Sequence, residues 1–439
     1  MGIFFGTDGI RGKYNEELTE RLAYNCGNAL ARLGKKIKIV IGCDTRSSGD
    51  ILSLAFSCGA ISGGADITNV GVCPTAGISY IVSKFNFDYG VVVSASHNPS
   101  EHNGIKIFDK TGRKISEKLE DILEKTIFYP ISLGFDNVGR YFHKCSLVES
   151  YVDYLSGLFN FDLLDKKIIL DCSNGASYRV APKLFREKGA NVYLLGCEPN
   201  GLNINRDCGS LHIENLQREV INKRADFGFA FDGDSDRLIA VDENGKIVTG
   251  DELVYIFANY YKKTGELKPA MVVGTKHTNM GVEVALKKQN IELLRAEIGD
   301  KYVSELLDKN NLKIGGEQSG HIIIKDYLQT GDGVLSALFL SFIVKSEGCN
   351  LSKMCDVKLF KQCNLNVGVD NKEKIISNKS LSDFVSSKQS EIMGRIMVRA
   401  SGTEKLIRIM VETEDEKISV DVANEIYNKI KQIDNMNNL

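Results

Sequence analysis

Three times along this chain a continuous apolar run ends in a Gly/Ser/Thr turn, passes through a helix-like stretch and returns as a second apolar run. The first copy is "IKIVIGCDTR" (37–46), leading to "ADITNVG". The second, "KIILDCSNGAS" (167–177), leads through "YRVAPKLFREKG" to "ANVYLLG". The third, "AMVVGTKHTN" (270–279), leads through "MGVEVALKKQN" to "IELLRAEIG". Runs that stay apolar instead of alternating mark strands covered on both faces, as in layered α/β sheets. Three copies predict an α/β chain with three similar mixed-sheet domains. Beyond "CDVKLFKQCNLNV" the pattern changes. "EIMGRIMVRASGTEKLIRIMVE" reads as two short strands around a Gly-containing turn, and "ISVDVANEIYNKIKQI" as a closing amphipathic helix. That predicts a smaller C-terminal α+β domain. The expected segments are 1–150, 151–250, 251–362 and 363–439. The polar stretch 371–390 reads as ordered surface helix and loop.

Composition narrows the function classes. The formal net charge of −2 over 439 residues lacks the basic excess of a nucleic-acid binder. The most apolar run, "VLSALFLSFIV" (334–344), is far shorter than the ~20 residues a bilayer requires. Eleven cysteines, an odd number with no Cys-x-x-Cys pair, point to reduced thiols and not to a disulfide framework or a zinc site. "MGIFFGTDG" lacks a secretory n-region, and Gly6 breaks the myristoylation pattern. The expectation is a cytoplasmic protein acting on small molecules, with no nucleic acid and no membrane.

Four motifs carry chemistry. In "FGFAFDGDSDRLIAVDENGK" a strand ends in Asp232, Asp234 and Asp236, spaced by two. Carboxylates so close repel one another unless a cation sits among them, and oxygen-only ligands favour a hard ion such as Mg²⁺ or Ca²⁺. Glu243 falls at the twelfth position of an EF-hand count. Arg237, however, stands where that loop needs Gly, and strands flank it where helices should; a solvated acidic turn is the other alternative. "VVVSASHNPSEHNGIKIF" (91–108) delivers Ser96, His97 and Asn98 at a strand end, with Lys106 further on. It reads either as a capping loop or as a serine activated by a nearby metal. In "IGGEQSGHIIIKD" an extended segment would place Glu317, Ser319 and His321 on one face, suited to sugar hydroxyls or an amine; a polar turn entering the next strand fits equally well. "RASGTEKLIRIM" (399–410) surrounds Gly402 with Arg399, Ser401, Thr403 and Arg408, either an anion grip or a hairpin with solvated arginines. Arg11 and Arg46 are cationic candidates for the same cleft or for salt bridges between domains.

In this order, "FGTDGIRG", "SASHNP", "DGDSDR", "GEQSGH" and "RASGTE" resemble the α-D-phosphohexomutase family over nearly the whole chain. The last two motifs look more like its glucosamine-phosphate branch than its glucose- and mannose-phosphate branch. The resemblance implies four domains around a central cleft, the last able to rotate. It implies that Ser96 carries a phosphoryl group and joins Asp232, Asp234 and Asp236 around one Mg²⁺. Arg11 and Arg237 would steady the phosphoserine, with His97 beside it and Lys106 as general acid or base. Glu317, Ser319 and His321 would meet the sugar, and Arg399, Ser401, Gly402, Thr403 and Arg408 the distal phosphate. The implied activity interconverts glucosamine 6-phosphate and glucosamine 1-phosphate, feeding UDP-N-acetylglucosamine and cell-wall precursors, in a monomer or homodimer. A mutase for glucose or mannose phosphates and a non-catalytic sugar-phosphate sensor are the alternatives. The chain departs from the family pattern at Ser235, Lys405, Lys301, Lys276 and His277.

Overall fold

Lys38–Cys43 lies parallel to both Asp66–Val72 and Tyr89–Val93, with helix Ser47–Ser62 making the crossover that parallel strands require. The computed structural model describes all residues except 1–3, 7, 135–136, 402–404 and 438–439. Around those three strands a seven-stranded sheet assembles in the order Phe5–Gly6, Gly9–Lys13, His102–Asp109, Tyr89–Val93, Lys38–Cys43, Asp66–Val72, Tyr141–His143. His102–Asp109 runs antiparallel to both its neighbours, setting Lys106 opposite Val92 and Gly104 opposite Arg11. This register brings the Ser96 loop, Lys106 and Arg11 to one end of the sheet. On its flank the helices Glu20–Ala31 and Ser47–Ser62 meet at Gly27 and Gly59. A Cβ at either position would lie about 2 Å from a carbonyl oxygen of the other helix, so only glycine permits the approach.

A five-stranded sheet follows, in the order Ile247–Val248, Leu238–Asp242, Phe227–Phe231, Lys167–Asp171, Asn191–Leu195. A four-stranded sheet comes next: Glu292–Ala296, Met271–Thr275, Ile314–Gly316, Ile322–Ile324. Each contains one of the sequence repeats as a parallel strand pair and adds antiparallel strands, so all three sheets are mixed. Among the described residues no helix is long and apolar enough to cross a membrane.

The chain divides into two units. Residues 1–277 and 291–356 form the first; residues 278–290 and 357–439 form the second. The third repeat therefore does not stay whole. Its helix, Met280–Lys288, groups with the C-terminal residues, where Asn279 Oδ1 accepts from Phe360 N at 2.9 Å. The expected 362/363 boundary also falls inside a strand, Lys361–Gly368. That strand pairs with Leu406–Thr413, which pairs with Gly394–Ala400, all antiparallel. Helix Glu416–Asn437 lays Val422, Ala423, Ile426, Ile430 and Ile433 against Val367, Ile407, Ile409 and Val411. The polar stretch 371–390 is mostly helical, as Lys372–Ile376 and Lys379–Glu391.

Candidate active site

The strand Tyr89–Val93 ends in a loop that bends at Ser96, whose φ of 52° is left-handed. A buried network holds this bend. Ser94 Oγ accepts from Ser96 N at 3.0 Å and donates to Asp44 Oδ2 at 2.5 Å. Asp44 in turn accepts from Arg46 Nε at 2.9 Å. Arg46 Nη2 donates to the carbonyls of Ser96 (2.9 Å) and Asn98 (2.8 Å), and Nη1 to those of Pro99 and His102. Asn205 Nδ2, from beyond the second sheet's parallel pair, reaches the carbonyls of Ser96 and Asn98 at 2.9 and 3.0 Å. Arg46, read as a cation for the cleft or for a salt bridge between domains, is instead a clamp on this loop. Its guanidinium is buried and taken up by the loop's main chain.

The strand Phe227–Phe231 delivers the aspartates, and Leu238–Asp242 carries the chain back antiparallel. Asp232, Asp234 and Asp236 are buried, and one oxygen from each lies within 4.8 Å of the others. Ser96 Oγ donates to Asp232 Oδ2 at 2.5 Å, so the serine and the trio form one site. Gly233 makes this approach possible. A Cβ there would sit 2.5 Å from the Ser96 carbonyl oxygen, a main-chain atom that cannot swing aside. Thr75 Oγ1 donates to Asp234 Oδ2 at 2.7 Å. Strands flank the loop, and Glu243, the would-be twelfth ligand of an EF-hand, instead accepts from Ser352.

Two observations fit a cation to the trio. Asp234 Oδ1 and Asp236 Oδ1 are buried without a hydrogen-bond partner, a costly state for a carboxylate oxygen. Burial, then Asp236 and Asp234, push the Asp232 carboxyl far above its ordinary range. A dication would relieve both.

Lys106 is buried, with its ammonium 2.6 Å from Asp234 Oδ2, 3.2 Å from Asp236 Oδ2 and 3.0 Å from Asp8 Oδ2. Burial opposes its charge, but Asp234, Asp236 and Asp8 outweigh burial and raise its pKa well above the ordinary lysine value. It was expected as a general acid or base, and its ammonium stands among three carboxylates beside the serine. Arg11 pairs with Asp8, while Arg237 N donates to Asp232 Oδ1 at 3.1 Å and its Nε lies 3.9 Å from Asp236 Oδ1. His97 Nδ1 lies 3.3 Å from Ser96 Oγ; burial, then Arg237 and Arg11, lower its pKa to about 4, so the ring is neutral.

The extended reading of 317–321 is overturned. Ile314–Gly316 and Ile322–Ile324 form an antiparallel hairpin, and residues 317–320 are its turn, closed by Gly320 N to the Glu317 carbonyl at 2.9 Å. The side chains therefore do not alternate along a strand. Glu317 is half-buried and accepts from Gly299 N at 3.2 Å; Ser319 is exposed at the turn. His321 is buried and bridges to Arg237 through the main chain. Its Nε2 stands 3.6 Å from Asp300 Oδ2. Lys301, one of the departures, pairs with Glu117 at 2.9 Å, and Lys276 pairs with Glu297.

Sequence reasoning missed Thr75, Asn205, Lys114 and Asp300, which have no local signature. Asp8 was within reach, since it stands in the quoted "FGTDGIRG".

In the second unit, Arg399 and Arg408 are directly opposite on neighbouring antiparallel strands. Opposite residues share a face, and like charges so placed repel. Burial, then Arg408, lower the pKa of Arg399. An anion bound by both would reverse the repulsion. Buried Ser401 closes the pair of strands, its N donating to the Leu406 carbonyl at 2.9 Å. Gly402 and Thr403 lie outside the described residues.

Four family models match the chain in order: phosphoglucomutase/phosphomannomutase α/β/α domain I over residues 2–130, domain II over 149–245, domain III over 249–360 and the C-terminal domain over 365–429. The phosphoglucosamine mutase of Clostridium acetobutylicum is 45% identical over 430 residues, covering 95% of this chain and 96% of its own. A phosphoglucomutase/phosphomannomutase family protein of Burkholderia thailandensis superposes with a TM-score of 0.80 at 20% identity, over 98% of each chain. The N-acetylphosphoglucosamine mutase of Aspergillus fumigatus, solved with GlcNAc-6P and magnesium, has a TM-score of 0.72 at 17% identity, over 99% of this chain and 96% of its own.

Proposed function

The chain belongs to the phosphoglucomutase/phosphomannomutase family, and from that premise we propose that it interconverts glucosamine 6-phosphate and glucosamine 1-phosphate. The observation that carries the reading is the Ser96 hydroxyl, 2.5 Å from Asp232 inside a buried trio of aspartates. A serine so placed, with His97 Nδ1 3.3 Å away, is well placed to carry a phosphoryl group.

In the forward direction the Oγ–P bond of phosphorylated Ser96 breaks as an oxygen of the sugar monophosphate bonds to phosphorus. The sugar hydroxyl gives up its proton, and Ser96 Oγ, the leaving group, takes one up to return as a hydroxyl, so the proton count is unchanged. The resulting bisphosphate reorients and returns its other phosphoryl group to Ser96. Asp232, Asp234 and Asp236, with Ser96, would hold Mg²⁺, which supplies charge neutralisation at the phosphoryl oxygens when bound. Lys106, Arg11 and Arg237 add fixed positive charge beside the serine, and neutral His97 lies against its oxygen. Glu317 and His321 are the residues for the sugar, joined by Ser319 only through its exposed hydroxyl. The opposed Arg399 and Arg408, with Ser401, Gly402 and Thr403, would take the phosphate not being transferred. The choice of glucosamine over glucose or mannose rests on the 45% identical relative. On this reading the enzyme is cytoplasmic, a monomer or homodimer, and supplies UDP-N-acetylglucosamine synthesis.

The test compares kcat/KM for glucosamine 6-phosphate, glucose 6-phosphate and mannose 6-phosphate, with intact-mass measurement of the purified chain. The expected result is preference for the amino sugar and a phosphorylated fraction that Ser96→Ala removes. Preference for glucose or mannose phosphate would move the enzyme to the sister activity. No turnover of any of the three, with no phosphorylation, would leave a sugar-phosphate sensor.

A further inference from the structure

Lys114 stands outside every motif of the sequence, yet its ammonium pairs with two carboxylates that belong to different parts of the first unit. One is Asp8, whose Oδ2 also lies 3.0 Å from Lys106 and pairs with Arg11. The other is Asp300, at the start of helix Asp300–Lys309. Asp300 follows Gly299, whose N–H donates to Glu317 Oε1 at 3.2 Å, and Asp300 itself lies 3.6 Å from His321. One side chain thus touches both the charge network behind the phosphoryl-bearing serine and the turn proposed to meet the sugar. Lys114, bridged to Phe108 just after strand His102–Asp109, and the 299–321 segment are far apart in sequence, so this bridge exists only in the folded unit.

We propose that Lys114 is a positioning residue for the mutase reaction, fixing Lys106 through Asp8 and Glu317 through Gly299–Asp300. The inference rests on the function proposed above. Its physical content is geometric. Lys106 has three carboxylates within 3.2 Å. Without Lys114, Asp8 keeps only Arg11 and Lys106 as cations and draws Lys106 from Asp234 and Asp236. Asp300, largely buried and left with only the Lys301 N–H at 2.8 Å and His321 at 3.6 Å, relaxes toward solvent and takes the Gly299 N–H away from Glu317. A displacement of about 1 Å at either group is enough to cost roughly a hundredfold in rate. Lys114 also lines a cavity of about 290 Å³ with Arg113, Lys301 and Thr330, so an uncharged side chain of equal length meets no steric conflict.

The experiment uses the full chain, phosphorylated as purified, and compares Lys114→Met, Lys114→Arg and Asp300→Asn with wild type on glucosamine 6-phosphate. Thermal unfolding is followed in parallel. Lys114→Met should fold, lose about tenfold or more in kcat and raise KM for the sugar phosphate. Lys114→Arg should recover most of the loss, and Asp300→Asn should act chiefly on KM, because it breaks only the Glu317 branch. Folded Lys114→Met within twofold of wild type in both constants would overturn the proposal. So would a loss that Arg does not rescue and that tracks only a lowered Tm, which marks a purely structural staple. If Lys114→Met does not fold, Asp300→Asn decides: an unchanged KM overturns the sugar branch and with it the bridge. Wild type inactive on all three hexose phosphates would instead remove the function on which the inference rests.

Discussion

Arg46 Nη2 donates to the main-chain carbonyl of Ser96 at 2.9 Å, from a guanidinium that also binds Asp44 and the carbonyls of Asn98, Pro99 and His102. The loop is therefore built around a buried cation. A lysine has one nitrogen where arginine has three, so it cannot cover four carbonyls and a carboxylate in this fork geometry. Arg46→Lys should cost about 2–4 kcal/mol of stability, from unpaired buried carbonyls and a weakened Asp44 pair. Urea unfolding measures this, and a midpoint equal to wild type would mean that the loop holds its shape without the clamp.

Gly233 and the Ser96 carbonyl oxygen are in direct apposition, 2.5 Å from where a Cβ would stand. Gly233→Ala should push the aspartate loop from the serine loop. The expected result is a loss of about 1–3 kcal/mol in stability and a larger fractional loss in kcat. Activity within twofold of wild type would show that the two loops can part without consequence.

Asp234 accepts from Lys106 and Thr75 through Oδ2, which leaves Oδ1 without a hydrogen bond. Asp234→Asn should weaken divalent-ion affinity by roughly tenfold or more, because it removes one of three negative charges from the trio. Titrating Mg²⁺ by calorimetry, and separately by activity, should give matching shifts. An unchanged calorimetric isotherm would place the ion elsewhere.

Asp332 caps helix Gly333–Glu347 by accepting from Val334 N and Leu335 N, and it also accepts from Tyr151 Oη at 2.6 Å. Burial pushes its carboxyl up to about 6. In the unfolded chain it titrates near 3.9, so between about pH 4 and 6 the folded state keeps a proton that the unfolded state has lost. Its contribution to stability therefore falls as pH rises through that window, by about 3 kcal/mol, and is constant above it. Asp332→Asn, whose Oδ1 can still cap the helix while its Nδ2 can only donate toward Tyr151 Oη, should gain on wild type as pH rises from 4.5 to 7. A stability difference independent of pH would refute the buried-carboxyl account.

The aspartate trio could be read from the chain because three carboxylates at alternate positions on one strand end are a local fact. So were the repeats, since unbroken apolar runs and a helical period survive any packing. The two strands around the short turn were legible too, but their register, which sets Arg399 opposite Arg408, was not. The structure alone decided the rest. Arg46 was open to either a cleft or a salt-bridge role until burial and four carbonyls claimed it. Lys106 was read as a general acid or base, and the carboxylates that hold its ammonium come from 98 to 130 residues away. For Glu317, Ser319 and His321 the chain left an extended face and a polar turn equally open, and the hairpin closed by Gly320 is the turn. Asp8, Lys114 and Asp300 meet through sheet order and helix placement. Periodicity and turn chemistry act over a few residues and are written in the chain; the pairing of buried charges acts through space, and only the packed topology says which of them meet.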